Sequence, residues 1–253
     1  MYNLLLASVL GLVTFAGITA GLGWVAAIVP ALAVALLAMF LLARRTGQQV
    51  QIELAGVPVL LQQRRIDEAQ TKLVHVRDRY KWWQFLLEGQ IDAQLGMIDY
   101  LQLKFDDARP KLESGKWRNG IALACIAAID WRRGRKDEAW KGFAAAAQAA
   151  KEDPTIYLVW STLLARDGDR AAALAAVDAG IQALPNNAQL KELKGKIANK
   201  QKVDPKSFGE GWFQYFPEDY AQQMMMRGTR TPSPMFGQNP QAPRPGARHA
   251  PRR

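Results

Sequence analysis

The sequence predicts an all-α protein: an N-terminal transmembrane helical hairpin, then a solenoid of stacked helix pairs, then a disordered C-terminal tail. Three observations carry that reading. Residues 1 to 43 contain no charged side chain, although the chain holds 33 Lys and Arg against 23 Asp and Glu. A helix-turn-helix pattern recurs from about residue 64 to 200. Beyond residue 227 the composition turns to Pro and Arg, with no acid.

An uncharged stretch of roughly 40 residues would run about 60 Å as one helix, twice the hydrocarbon thickness of a bilayer. Two passes fit, at residues 3 to 20 and 24 to 43, with Gly21, Leu22 and Gly23 as the turn of an anchor covering residues 1 to 45. A secretory signal needs basic residues ahead of its apolar region, and Met1, Tyr2 and Asn3 supply none. Arg44 and Arg45 follow the second span, so the positive-inside rule puts that end and all that follows in the cytoplasm. Both termini are expected there. Short loops and the lack of a glycosylation acceptor favour a bacterial inner membrane. Ala7-x-x-x-Gly11 and Gly17-x-x-x-Gly21 have the small-residue spacing that lets membrane helices approach closely, and Pro30 is expected to kink the second span. Gly21-x-Gly23-x-x-Ala26 mimics a dinucleotide fingerprint, but it lies inside the membrane stretch with no acid about 20 positions on, which rules it out.

Residues 46 to 63 read as a linker and a degraded first repeat helix, because Gly56 and Pro58 both weaken a helix interior. Four turns can then be aligned: Arg64-Arg65-Ile66-Asp67-Glu68-Ala69, Lys104-Phe105-Asp106-Asp107-Ala108, Gly134-Arg135-Lys136-Asp137-Glu138-Ala139 and Gly168-Asp169-Arg170-Ala171-Ala172-Ala173. Their final alanines are 39, 31 and 34 residues apart. A large apolar residue follows each alanine by one helical turn: Leu73, Leu112, Phe143 and Val177. Small residues sit where two helices nearly touch, and the larger neighbour fills the gap they leave. One helix pair cannot bury its own apolar face, so such units must stack over residues 64 to 200. Leu184-Pro185-Asn186-Asn187 closes the last unit, and the Lys-rich helix expected at 188 to 200 caps the stack.

These features resemble the tetratricopeptide repeat family, whose pattern runs W-x2-L-G-x2-Y, then A-x3-F, then P. Leu95-Gly96 reproduces the L-G pair, Ala139-x3-Phe143 the A-x3-F, and Ala173-x3-Val177 with Pro185 the closing half. Asp99 and Asp130 stand where the family carries Tyr, with Tyr100 and Trp131 one residue later. The resemblance covers about half the chain, as three repeats and one degraded one. It implies a concave groove lined by Gln90, Ala93, Met97 and Tyr100, by Ile121, Ala124, Ala128, Trp131 and Arg132, and by Thr155, Leu158, Thr162 and Arg166. The partner-binding set it implies is Gln90, Met97, Tyr100, Ile121, Trp131, Arg132, Leu158 and Arg166, with Tyr100 and Trp131 as anchors. The paired Lys and Asn residues with which chaperone-binding members hold a terminal carboxylate are missing, so the implied guest is a helix or an apolar peptide.

Residues 201 to 227 form a docking segment, with six of the chain's 23 aromatic residues at Phe208, Trp212, Phe213, Tyr215, Phe216 and Tyr220. Each buried ring is worth on the order of 2 kcal/mol, so the cluster has to dock: on the chain's own solenoid, on a partner protein, or at a membrane interface. Met224, Met225 and Met226 extend it with adaptable side chains. The tail, residues 228 to 253, holds six Pro and five Arg and is expected to be disordered. Its charge suits anionic lipid headgroups; nucleic acid is the weaker reading.

Nothing in the pattern points to catalysis. Ser114-Gly115-Lys116 lacks the upstream glycine of a phosphate loop, and His75 lies between Val74 and Val76 on an amphipathic stretch. Asp106-Asp107 and Asp137-Glu138 fall in first helical turns, where acids offset the helix dipole. His75, His249 and Cys125 are too few for a metal cage, and one cysteine suits a reducing compartment. The expectation is a membrane-anchored scaffold or assembly subunit without enzymatic activity or cofactor, binding protein subunits of a membrane complex. The alternative is an accessory subunit whose hairpin packs into a larger membrane complex while the solenoid acts as a bracket.

Overall fold

The computed structural model describes residues 2–82 and 87–226, and every regular element among them is helical. The expected disorder of residues 228 to 253 falls outside the described residues. Helices α1 (Tyr2–Leu22) and α2 (Trp24–Leu54) form a hairpin that turns at Gly23, where φ is +84°. A side chain would be strained at that angle. Both helices are long and apolar enough to cross a membrane, and their outer faces leave residues such as Leu12, Val29 and Leu36 exposed.

Small residues line the seam between them. Ala7 and Gly11 on α1 and Ala27 and Ala31 on α2 are buried, and a Cβ added at Gly11 would lie 2.9 Å from the Cβ of Ala35 and 3.3 Å from the Ala31 carbonyl oxygen. Gly11 is thus a point of close approach between the helices, whereas Gly17 and Gly21 have open space where a side chain would go. At the open end of the hairpin the Asn3 amide donates to the Thr46 hydroxyl at 3.2 Å, which fixes the register.

Residues 46 to 54 are not a linker: α2 runs on through them to Leu54 without interruption. Gly56 and Pro58 break the chain only locally, because proline fits the first turn of the new helix α3 (Val57–Gln62). Val50 and Val57 then join Ala69, Leu73, Val76 and Tyr80 of α4 (Ile66–Tyr80) in one buried cluster with Ile91, Leu95 and Ile98 of α5 (Leu87–Leu101). The hairpin therefore leads into the helical domain through a continuous helix and a shared core.

The remaining helices are α6 (Phe105–Ser114), α7 (Gly120–Arg132), α8 (Lys136–Ala149), α9 (Pro154–Arg166), α10 (Arg170–Ala183) and α11 (Ala188–Ala198). From α4 to α11 each packs on the next. One turn geometry recurs, centred on Arg64, Leu103, Gly134, Gly168 and Lys200, all with positive φ. In each, the following amide reaches back to a carbonyl five residues earlier: Arg65 to Leu60, Lys104 to Asp99, Arg135 to Asp130, Asp169 to Leu164 and Gln201 to Lys196. This is the Schellman closure of a helix C-terminus. Five residues after each of the first four turn centres stands one of the aligned alanines, Ala69, Ala108, Ala139 and Ala173, and all four are fully buried. So are Leu73, Phe143 and Val177, with Leu112 1% exposed. Gly96 serves the same end, since a Cβ there would sit 2.9 Å from the Leu112 side chain and backbone.

The two acids that depart from the family pattern are structural. Asp99 is buried, accepts from the Gln70 amide at 2.8 Å and pairs with Lys111. Asp130, also buried, pairs with Arg109 at 3.1 Å and with Arg135. Each ties the end of one helix to the helices beside it.

Candidate interaction site: the first-helix face and its occupant

Helices α5, α7 and α9 start the successive pairs, and Tyr100, Trp131, Arg132 and Arg166 come together on one side of them. The chain itself fills the upper part of that side. After a short 3-10 turn at Pro205–Phe208 come α12 (Glu210–Tyr215) and α13 (Pro217–Met226), and α12 packs on α7 and α9. Trp212 and Tyr215 are fully buried, Phe216 and Phe213 are 3% and 6% exposed, and Phe208 and Tyr220 pack half-buried against the same core.

Ring geometry accounts for the fit. Trp212 stacks on Phe216 with centroids 4.2 Å apart, Phe216 meets Trp131 edge to face at 5.8 Å, and Phe213 meets Tyr220 at 5.4 Å. The Trp212 indole N–H donates to Asp219 Oδ2 at 2.7 Å, so burial leaves its polar edge satisfied. Gly211 lets the segment lie on α9: a Cβ there would come 2.8 Å from the Thr155 methyl. The Arg166 guanidinium lies 5.7 Å from the Trp131 ring centroid.

Arg132 is the polar centre. Its Nε and Nη2 donate to the two carboxylate oxygens of Glu218 at 2.7 and 2.9 Å, Nη2 also donates to the Tyr215 carbonyl at 2.6 Å, and Nη1 donates to the Tyr100 hydroxyl at 2.9 Å. The Tyr100 hydroxyl in turn donates to the Tyr215 carbonyl at 2.6 Å. Phe105 and Phe216 each place a ring centroid 4.6 Å from the guanidinium carbon. Burial works against the charge, yet Tyr100 and Glu218 outweigh it and hold the Arg132 pKa above its ordinary value. Burial also pushes the Tyr100 and Tyr215 phenols far above their ordinary range, so both stay protonated. A bidentate guanidinium pair closed by a backbone acceptor is strong and geometrically selective.

The arrangement corrects the reading of this face as an open groove. Tyr100 and Leu158 are buried in the domain core, and Trp131 and Arg132 are engaged by residues 212 to 218. Replacing Tyr100 and Trp131 by Ala would therefore damage the folded domain, not merely empty a binding surface. Of the expected set, Gln90 and Ile121 stand apart. They line a recess of about 540 Å³ with Trp117, Arg118, Asn119 and Ala150 at the opposite end of the helices, where Trp117 is 61% exposed. Met97 is half-buried, 3.9 Å from the Cys125 sulfur. Asn119, Asp153 and Asn187, which cap α7, α9 and α11, stand 34 residues apart; that spacing was available in the sequence as a repeat signal.

No protein-family model matches the chain, and neither a curated protein nor a solved structure matches it. What the site can do is set by its own chemistry. Its charged groups are paired with one another around a backbone carbonyl, which suits holding a peptide segment. Among the described residues no group of His, Cys, Asp and Glu could hold a metal ion.

Cys125 gives a direct test of the packing. It is fully buried, and burial pushes its thiol up to about 12. At pH 8 only about one thiol in ten thousand would be ionised, and none is accessible. Iodoacetamide should leave Cys125 untouched in the folded chain and alkylate it readily in denaturant. Rapid alkylation without denaturant would mean that the contact between α5 and α7 opens.

Proposed function

We propose that this protein is a membrane-anchored helical scaffold that holds protein subunits of a membrane complex at the cytoplasmic face of a bacterial inner membrane, without catalysis. The observation that carries the reading is the junction. A hairpin with lipid-suited outer faces continues as one helix into the core of a stacked helical domain, which resembles tetratricopeptide repeats in its buried alanines. Rigid attachment confines the domain to the membrane plane and raises its effective concentration for neighbours there. Arg44 and Arg45 at the end of the second span favour cytoplasmic placement.

The self-filled face moves the partner surface. Residues 210 to 226 occupy the side to which a repeat domain would draw a peptide, so partners meet the domain at its open end, around Gln90, Trp117 and Ile121. The same observation favours a second reading, in which the hairpin makes the decisive contacts and the helical domain is a bracket.

Affinity purification of the full chain from membranes in mild detergent tests both. Loss of co-purifying membrane proteins with Trp117→Ala and Ile121→Ser supports the scaffold reading. Loss only with substitutions on the outer hairpin face, such as Leu12→Ala with Leu36→Ala, supports the bracket. Recovery of the chain in the soluble fraction would overturn both. Reporters fused at Gly47 and after Arg253 should register cytoplasm.

A further inference from the structure

The end of α4 meets the open end of the hairpin. The Tyr2 amide donates to the Trp82 carbonyl at 2.8 Å, so Trp82 lies level with the first turn of α1. The Asn3 to Thr46 bond puts that level one residue beyond Arg45. On the cytosolic extension of α2, Glu53 accepts from the Tyr80 hydroxyl at 2.8 Å and pairs with Arg79 at 3.2 Å, so α4 runs back toward the hairpin as its number rises. Here Tyr2 is 48% and Trp82 58% exposed, and Arg44 and Arg45, which directly precede Thr46 on α2, are exposed as well. Lys81 and Arg79 add positive charge; among the described residues Glu53 pairs with Arg79 and Asp78 lies 4.0 Å from Lys81.

A large exposed ring and several cations, held at the depth where an apolar hairpin reaches water, match the headgroup layer of a bilayer. Tryptophan and tyrosine favour that layer, and arginine and lysine meet its phosphates there. We propose that Tyr2, Arg44, Arg45, Lys81 and Trp82 form a second membrane contact that binds phospholipid headgroups. The helical domain is then held on the bilayer at two places: by the hairpin within it and by the end of α4 upon it. Rotation of the domain about the axis of α2 is blocked, and its open end points in a fixed direction.

The inference rests on the reading that α1 and α2 span the bilayer, and depth-dependent quenching separates the two. The full chain is reconstituted into phosphatidylcholine and phosphatidylglycerol vesicles with one fluorophore at Leu12→Cys, Asp78→Cys or Lys191→Cys; Cys125 is buried and stays unlabelled, and Asp78, exposed one turn before Trp82, leaves the proposed contact residues in place. Nitroxide lipids labelled at the headgroup or deep in the acyl chain act as quenchers. The expected result is about a twofold loss of emission at position 78 with the headgroup quencher, at position 12 with the deep quencher, and at position 191 with neither. If position 12 is quenched and position 78 is not, the second contact is overturned while the span stands. If neither is quenched, both fall. Equal quenching at 78 and 191 would mean general adhesion of the domain and would also overturn the proposal.

Discussion

Arg132→Met should release the C-terminal helices from the face they cover while the rest of the domain stays folded. The substitution keeps an apolar stem of similar reach but removes five donated hydrogen-bond positions, four of which are used on Glu218, Tyr215 and Tyr100. The Tyr215 carbonyl would keep only the Tyr100 hydroxyl. Breaking a buried, charge-assisted pair costs about 3 kcal/mol, the lower end of the usual span, because Glu218 is 36% exposed on its side chain and regains water. Cleavage by chymotrypsin at Phe213 or Tyr215 follows the population of the opened form, so it should rise about a hundredfold. Glu218→Gln keeps one neutral acceptor oxygen for Arg132 and loses the second acceptor and the charge, but at a partly solvated edge it should raise cleavage by about tenfold or less. Equal effects from the two variants would remove Arg132 from the centre of the clamp.

Trp212→Ala should be the more damaging change. The indole is fully buried, stacks on Phe216 and bonds to Asp219. Removing a buried tryptophan costs about 3 to 5 kcal/mol when the site cannot collapse, and here Phe216, whose edge-to-face contact holds Trp131, would lose the ring it stacks on. The segment should detach at equilibrium, with loss of near-ultraviolet circular dichroism and rapid cleavage throughout residues 208 to 226. Trp117→Ala serves as the matched control, because that ring is 61% exposed and its removal should shift stability by no more than about 0.5 kcal/mol. A Trp212→Ala chain as resistant as the control would place the segment elsewhere.

The repeating part of the fold was legible because it depends on local chemistry. Ala69, Ala108, Ala139 and Ala173 mark helix contacts where only a methyl group fits, and such positions announce themselves by spacing. The five turns were only partly legible, since Gly134 and Gly168 signal a left-handed residue whereas Arg64, Leu103 and Lys200 adopt the same φ without being the residue type that favours it. Residues 46 to 63 read as a linker and a degraded repeat helix, and the continuation of α2 through residues 46 to 54 was missed because Gly56 and Pro58 were weighed as interior breakers. In the structure they fall at a junction between α2 and α3, where both are tolerated.

The aromatic segment shows where sequence stops. Six rings in 13 residues demanded burial, and burial is what the structure has for most of them. Their place could not be read, because it is decided by Arg132 and Tyr100 meeting Glu218 and Tyr215 from 83 to 115 residues away. No local pattern encodes a pairing at that distance. The groove residues were named from a repeat alignment that has no term for a chain covering its own surface.

Amide hydrogen exchange on the intact protein in mild detergent tests the central claim most directly: that the chain's own C-terminal helices occupy the first-helix face. A free helix of six residues cannot hold its hydrogen bonds in water, so protection at α12 has to come from docking. The amides of Trp212 and Phe216, bonded to the carbonyls of Gly209 and Trp212, should exchange on the same slow timescale as those of α7 and α9. Exchange of both within seconds, while α7 and α9 stay protected, would contradict the account and return the face to an outside partner.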